Sequence, residues 1–158
     1  MDKLSIDIKL FNEVCFDLPN IEFINKLLSK GADIKVIVDG ESVLSGLLFF
    51  NKDCSNLSDI VKLLLKKGAN PNLDTSQGFN CLYDACLIND PKIVAILLEA
   101  GTDYNCTCQD TGESLMDWAL GEQFFLTTVL MPENHEKNHD KIVKLLRLYN
   151  AKSSIDLI

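Results

Sequence analysis

The stretch "LLLKKGANPNLDTSQGFNCLYDACLINDPKIVAILLEAGTDYN", residues 63–105, contains two similar segments that lie 33 residues apart. It opens with "LLLKKGAN" and closes with the matching "ILLEAGTD". Between them, "GFNCLYDAC" begins with a turn glycine, and its apolar residues recur at helical spacing. One unit of this stretch therefore predicts a turn, a short helix, a second turn and a second short helix.

The second helix of the unit recurs four times along the chain. The four segments are "FINKLLSKGAD" from residue 23, "IVKLLLKKGAN" from 60, "IVAILLEAGTD" from 93 and "IVKLLRLYNAK" from 142. Their apolar residues repeat at steps of three and four, which predicts one buried stripe on a helix of about eight or nine residues. We expect this stripe to include Leu64, Leu97 and Leu145.

Residues with strong capping preferences mark both ends of the helices. Left-handed positions at the ends of the second helices are predicted at Gly31, Gly68, Gly101 and Asn150. Three further segments align as first helices: "GESVLSGLL" from 40, "GFNCLYDAC" from 78 and "GESLMDWAL" from 112. Their predicted N-cap residues are Ser42, Asn80 and Ser114.

The turn between the paired helices is most compact in the third unit. There "NDP", residues 89–91, supplies a turn residue, a cap and a proline at the first helical position. The same distance, counted back in the second and fourth units, predicts left-handed turns at Asn56 and Asn138. His139 would then cap the last helix.

This unit resembles the ankyrin repeat, a family with a period of 33 residues. The resemblance covers residues 1–38, 39–75, 76–109 and 110–158 as four repeats of a single domain, 1–158, with insertions near 52–56 and 121–138. Where the family has Thr-Pro-Leu-His, this chain has "SVLS", "NCLY" and "SLMD", so the caps remain and the proline and histidine do not. The resemblance implies an all-α solenoid of paired antiparallel helices joined by β-hairpin fingers.

Composition and charge limit the classes of function. The 158 residues carry a formal net charge of −8, which disfavours nucleic acid as a partner and suits a basic protein surface. No apolar run approaches the ~20 residues that a membrane-spanning helix needs. The start, "MDKLSIDIKLF", lacks an apolar signal core, which predicts a cytoplasmic protein whose six cysteines stay reduced. We expect no cofactor.

One catalytic motif occurs by pattern. "HEKNH", residues 135–139, fits H-E-x-x-H, which on a helix places two imidazoles on one face to hold zinc. The predicted turn at Asn138 would break that helix, and the chain has only two histidines. No nucleophile-elbow or phosphate-loop motif is present. We therefore predict no metal site and no enzyme, with a zinc peptidase as the remote alternative.

The resemblance implies that a concave face of hairpin tips and first helices binds another protein. In this alignment Gly46, Asp84 and Trp118 share one exposed position, and Phe49 and Leu87 share the next. The candidate binding residues are Trp118, Leu87, Ile88, Asp84, Phe49, Phe50, Phe79, Asp110 and Glu113.

Apolar residues at such positions form partner sites, tryptophan is a common anchor, and an acidic rim suits a basic partner. For Phe49 and Phe50 the alternative is burial under the insertions. The role remains open between an adaptor and a stoichiometric inhibitor, such as an immunity protein for a basic toxin. We expect a monomer.

Overall fold

The computed structural model describes residues 3–16, 19–73, 80–108, 111–121 and 135–157. Within these ranges the α-helices are α1 (Lys3–Cys15), α2 (Ile21–Ser29), α3 (Val43–Phe50), α4 (Leu57–Lys66), α5 (Cys81–Ile88), α6 (Pro91–Glu99), α7 (Leu115–Leu120) and α8 (His135–Leu148). A short hairpin pairs β1 (Ile37–Val38) with β2 (Glu41–Ser42), and a 3-10 turn covers Ser154–Leu157. None of these described helices is both long and apolar enough to cross a membrane.

The helices pack as four consecutive pairs. α1 packs on α2, α3 on α4, α5 on α6 and α7 on α8. The first helices α1, α3 and α5 also contact one another in order, as do the second helices α4, α6 and α8. The antiparallel β1–β2 hairpin and a bridge between Thr107 and Ser114 form fingers between successive pairs. The predicted all-α solenoid with hairpin fingers is confirmed.

The ends of the second helices are as predicted. Gly31, Gly68 and Gly101 have φ angles of +92°, +94° and +82°, and Asn150 has +59°. After α4, the Ala69 N–H donates to the Leu64 carbonyl, which closes the helix in the way that a left-handed residue allows. Local sequence is sufficient to end these helices.

The starts of the first helices are also confirmed. Ser42, Asn80 and Ser114 are the N-cap residues of α3, α5 and α7, and each side chain accepts a backbone N–H of the first turn. In the third pair, Asn89 is left-handed with φ of +60°, Asp90 caps α6, and Pro91 is its first residue.

The core runs through the whole array. Leu64 and Leu97 are fully buried, as expected, whereas Leu145 is only partly buried. Leu146 occupies the fully buried position instead, because it lies four residues after Ile142, as Leu64 lies four residues after Ile60. Three cysteines belong to this core, and burial raises the pKa of the thiols of Cys15, Cys81 and Cys86.

Two turns predicted next to the insertions are wrong. Asn56 is the residue before α4, but its φ is −106°, outside the left-handed region. Asn138 and His139 both lie inside α8, which starts at His135 and is 14 residues long. Instead of forming a turn, Asn138 donates its side-chain amide to the carbonyl of Asn89, at 3.2 Å. The extra residues thus lengthen the last helix at its start.

Candidate interaction surface

One side of α3 lies against α1, and one side of α5 lies against α3. On α3, Gly46 faces α1 so closely that an added Cβ would lie 2.5 Å from the Cys15 Sγ. On α5, the aligned Asp84 accepts a hydrogen bond from the Ser45 hydroxyl of α3 at 3.2 Å. The position predicted to be exposed therefore lies between repeats in both helices.

Trp118 occupies the same position on α7. Its ring centroid lies 4.9 Å from that of Tyr83 on α5, with the ring planes inclined by 66°. The indole is partly buried by this edge-to-face contact. The structure thus gives Trp118 a packing role between two repeats, and its predicted role as a partner anchor remains a prediction.

Asp84 is a buried carboxyl, whereas the sequence predicts it on an exposed acidic rim. Only 7% of the residue is exposed. The pKa of this carboxyl is raised to about 7: desolvation by burial is the main cause, the hydrogen bond from Ser45 opposes it, and the nearby Glu41 adds to it. Near neutral pH, Asp84 is therefore divided between its neutral and its ionised form.

Three phenylalanines lie exposed at the ends of α1 and α3. Phe16, Phe49 and Phe50 are 59%, 60% and 45% exposed. The Phe50 ring contacts Phe16 at 4.7 Å and Phe49 at 4.9 Å between centroids. Phe49 and Phe50 are thus exposed in the structure, whereas most of the insertion near 121–138, which the alternative places over them, lies outside the described residues. We call Phe16, Phe49, Phe50 and the neighbouring Leu87, which is 44% exposed, the aromatic patch.

Phe16 is the patch residue that the sequence does not reveal. The alignment of first helices starts at residue 40, so the first repeat enters it only through its second helix. The available signal is weak: Phe16 follows directly after α1, one residue beyond the buried Cys15.

A cleft lies between α3 and α5, with Phe49 and Leu87 among its lining residues. Its volume is about 280 Å³, and the lining residues are Leu48, Phe49, Lys52, Asp84, Leu87 and Ile88. Four of the six are apolar, and the carboxyl of Asp84 lies among them. Five of the candidate residues, Phe49, Phe50, Leu87, Ile88 and Asp84, are thus neighbours at this place.

The finger residues divide into structural and exposed ones. Asn72 accepts the Asp103 N–H at 2.6 Å and donates to the Gly101 carbonyl at 3.2 Å, so its side chain links two repeats. Glu113, beside the Thr107–Ser114 bridge, is exposed. The candidates Phe79 and Asp110 lie outside the described residues.

Charge is distributed unevenly between the two halves of the repeats. The second helices with their C-cap residues carry ten Lys or Arg and five Asp or Glu, a net charge of +5. The remainder of the chain, with the fingers and first helices, carries five Lys or Arg and 18 Asp or Glu. The aromatic patch and the cleft belong to this acidic part of the chain.

The zinc motif lies on a continuous helix. Because α8 includes both His135 and His139, the predicted turn no longer argues against a zinc site. In the part of the chain that the structure describes, no group of three His, Cys, Asp or Glu residues is placed to hold a metal ion. The absence of metal chemistry stays a prediction.

Comparison with known families agrees with this architecture. A family model described as ankyrin repeats (3 copies) matches residues 13–108, more than half of the 158 residues. The matched range runs from the end of α1 to the finger before α7. Ankyrin repeats generally mediate protein–protein interactions, and such domains are typically non-catalytic. This chain belongs to the ankyrin repeat family.

Proposed function

We propose that this chain is a non-catalytic module that binds a basic partner protein through the aromatic patch and the adjoining cleft. The observation that carries the proposal is the contact between exposed aromatic rings: Phe16, Phe50 and Phe49 form a continuous apolar surface. Exposed apolar surface of this kind is rare unless a partner covers it. Aromatic residues, including phenylalanine, are also enriched in the cores of protein interfaces.

The charge distribution supports a basic partner. The half of the repeats that carries the patch has a large excess of carboxylates, and the opposite half is basic. A partner with exposed Lys and Arg would be attracted to the patch side and repelled from the other.

The test is a comparison of two variants that remove apolar surface from opposite sides. Phe49→Ser with Phe50→Ser should lose binding to a protein captured by the unmodified chain, with a weakening of about 2 kcal/mol or more. Leu148→Ser is the matched control, because Leu148 is 74% exposed on α8. Calorimetry with the purified partner and circular dichroism of each variant separate binding from folding. Equal loss in both variants, or in neither, would refute the patch.

Trp118→Ala distinguishes anchor from packing residue. If Trp118 reaches the partner, this substitution should accelerate dissociation of the complex. If Trp118 only packs between repeats, loss of the contact with Tyr83 should lower the free energy of unfolding and leave the dissociation rate unchanged. Kinetics and urea denaturation on the same variant decide between the two roles.

The acidic fingers should affect the rate of association more than the lifetime of the complex. Neutralising Asp110 and Glu113 should slow association at low ionic strength and matter much less at high salt. Stopped-flow measurements across a salt series check this expectation. An unchanged association rate at low salt would remove these residues from the rim.

The module can serve as an adaptor or as a stoichiometric inhibitor, such as an immunity protein for a basic toxin. The acidic patch side favours the inhibitor when the partner is a basic enzyme, since binding would cover its cationic surface. The activity of the captured partner, measured with and without one equivalent of the module, separates the two. Full activity in the complex supports the adaptor.

A further inference from the structure

The cleft between α3 and α5 has apolar walls and a carboxyl that no cation among the described residues neutralises. Leu48, Phe49, Leu87 and Ile88 provide the apolar lining. Asp84 contributes the carboxyl, and more than nine-tenths of this residue is buried. A buried carboxylate is stable only with a cation or with enough hydrogen-bond donors.

The polar neighbours of Asp84 do not supply this compensation. The Ser45 hydroxyl lies within hydrogen-bonding distance of both Glu41 and Asp84, but it carries one proton and can donate to only one of them at a time. Lys52 lines the cleft, yet it is exposed, and it is not among the groups that affect the pKa of Asp84. Ionised Asp84 therefore lacks a cation within the described part of the chain.

We propose that this cleft receives a lysine or arginine side chain of the partner, with its aliphatic stem between Phe49, Leu87 and Ile88 and its cation on the Asp84 carboxylate. The inference rests on the proposed function and names the residue type that the partner must present. Apolar walls suit the methylene stem of such a side chain, whose charged end needs a partner of its own. The ring of Phe49 adds a surface that attracts cations.

Binding of a cation at this place has a consequence for protons. The pKa of Asp84 is raised to about 7 in the free protein, chiefly by burial, so this carboxyl is partly protonated at neutral pH. A cation favours the ionised form and displaces that proton. Affinity should therefore rise with pH through the pKa of the free protein.

Other ionisable groups of the described residues lie near Asp84. They are Glu41 of β2, Lys52 after α3, and Cys81, Tyr83 and Cys86 of α5. The pKa values of Cys81, Tyr83 and Cys86 are raised, so these three groups stay neutral near pH 7. The chain also contains two histidines, both in α8, which makes a variant control necessary.

The experiment uses butylguanidinium as the probe and butylurea as its neutral, nearly isosteric control. The full chain, labelled at the Leu and Ile methyl groups, is titrated with each probe by NMR. Butylguanidinium should shift the methyl signals of Leu87 and Ile88 with a dissociation constant of roughly 1–10 mM. Butylurea should bind at least several-fold more weakly.

The pH dependence assigns the effect to Asp84. Between pH 6 and pH 8, affinity for butylguanidinium should rise about tenfold, following the ionised fraction of a group with a pKa of about 7. Asp84→Asn retains both histidines and should remove this rise. Equal binding of the two probes, shifts located outside the cleft, or the same pH dependence in Asp84→Asn would overturn the inference.

Failure of this inference is distinguishable from failure of the proposed function. If binding of the captured partner requires Phe49 and Phe50 but is unchanged in Asp84→Asn, the patch is supported and the cation site is refuted. If the probe titrations succeed and no partner depends on the patch, the cation site stands and the proposed function falls.

Discussion

The second helices and the first helices of this solenoid are buried in different ways. On α4 the buried residues are Leu57, Ile60, Val61 and Leu64, a single stripe, and the opposite side carries lysines. On α3, every residue from 43 to 48 is buried, because α1 and α5 flank it and α4 packs against it. A helix with one buried stripe shows a clear periodicity, whereas a helix enclosed by three neighbours does not.

The largest expected effect comes from a stripe residue of a second helix. Leu97 is fully buried, so Leu97→Ala should lower the free energy of unfolding by about 2–5 kcal/mol through lost burial and a residual cavity. Phe49→Ala, at a residue that is 60% exposed, should cost less than about 1 kcal/mol. Urea denaturation of both variants checks the contrast. A similar loss of unfolding free energy in the two variants would mean that Phe49 is buried about as fully as Leu97, which would contradict this contrast.

The second expectation concerns the buried acid of a first helix. The pKa of Asp84 is raised from 3.8 to about 7, so the folded state retains a proton that the unfolded state has lost in this range. The contribution of protonated Asp84 to the free energy of unfolding is therefore fully present below pH 3.8 and is lost as pH rises through about 7. Between pH 5 and pH 8.5 the loss should be about 3 kcal/mol.

The matched variant for this pH effect is Asp84→Asn. It keeps an acceptor for Ser45 and has no charge to desolvate, so its stability should vary less with pH and exceed that of the unmodified chain at pH 8.5. Chemical denaturation across the pH series provides the measurement. A slope that is unchanged in the variant would assign the pH dependence to another group.

A smaller effect is expected where fingers link successive repeats. The side-chain oxygens of Asn72 and Asn105 accept the N–H groups of Asp103 and Lys152, whereas the aligned residue of the first finger is Lys35, which has no side-chain acceptor. Asn72→Ala should cost about 1 kcal/mol. Lys35→Asn should gain roughly 0.5 kcal/mol by supplying the missing acceptor. Thermal unfolding of both variants tests whether an asparagine at this finger position stabilises each junction between repeats.

The smallest expected effect concerns the two histidines of α8. The double variant His135→Ala with His139→Ala should bind the partner as the unmodified chain does, and chelators should leave that binding unchanged. Metal analysis of protein purified without added zinc provides the check. One equivalent of zinc, lost in the double variant, would restore the zinc peptidase alternative, which the continuous helix permits geometrically.

Local chemistry made much of the fold predictable from sequence. A left-handed residue such as Gly68 ends its helix through contacts within a single turn, and Ser114 caps α7 through residues three positions away. The 33-residue repeat then extends each local pattern along the chain. The two wrong turns, at Asn56 and Asn138, lie next to insertions. Their positions are predicted from the number of residues between turn and helix in the third repeat, and that number does not apply to a repeat with an insertion.

Contacts between residues that are distant in sequence determine which candidate residues are buried and which are exposed. Asp84 is buried where α5 packs against α3, the helix that contains Ser45, 39 positions earlier, and Trp118 is partly covered by Tyr83. Phe16 joins Phe49 and Phe50 in one patch because α1 packs against α3. The sequence determined the repeat, the ends of most helices and the apolar residues near the surface. The stacking of repeats decided which of these residues face solvent, since burial depends on contacts that no single helix contains.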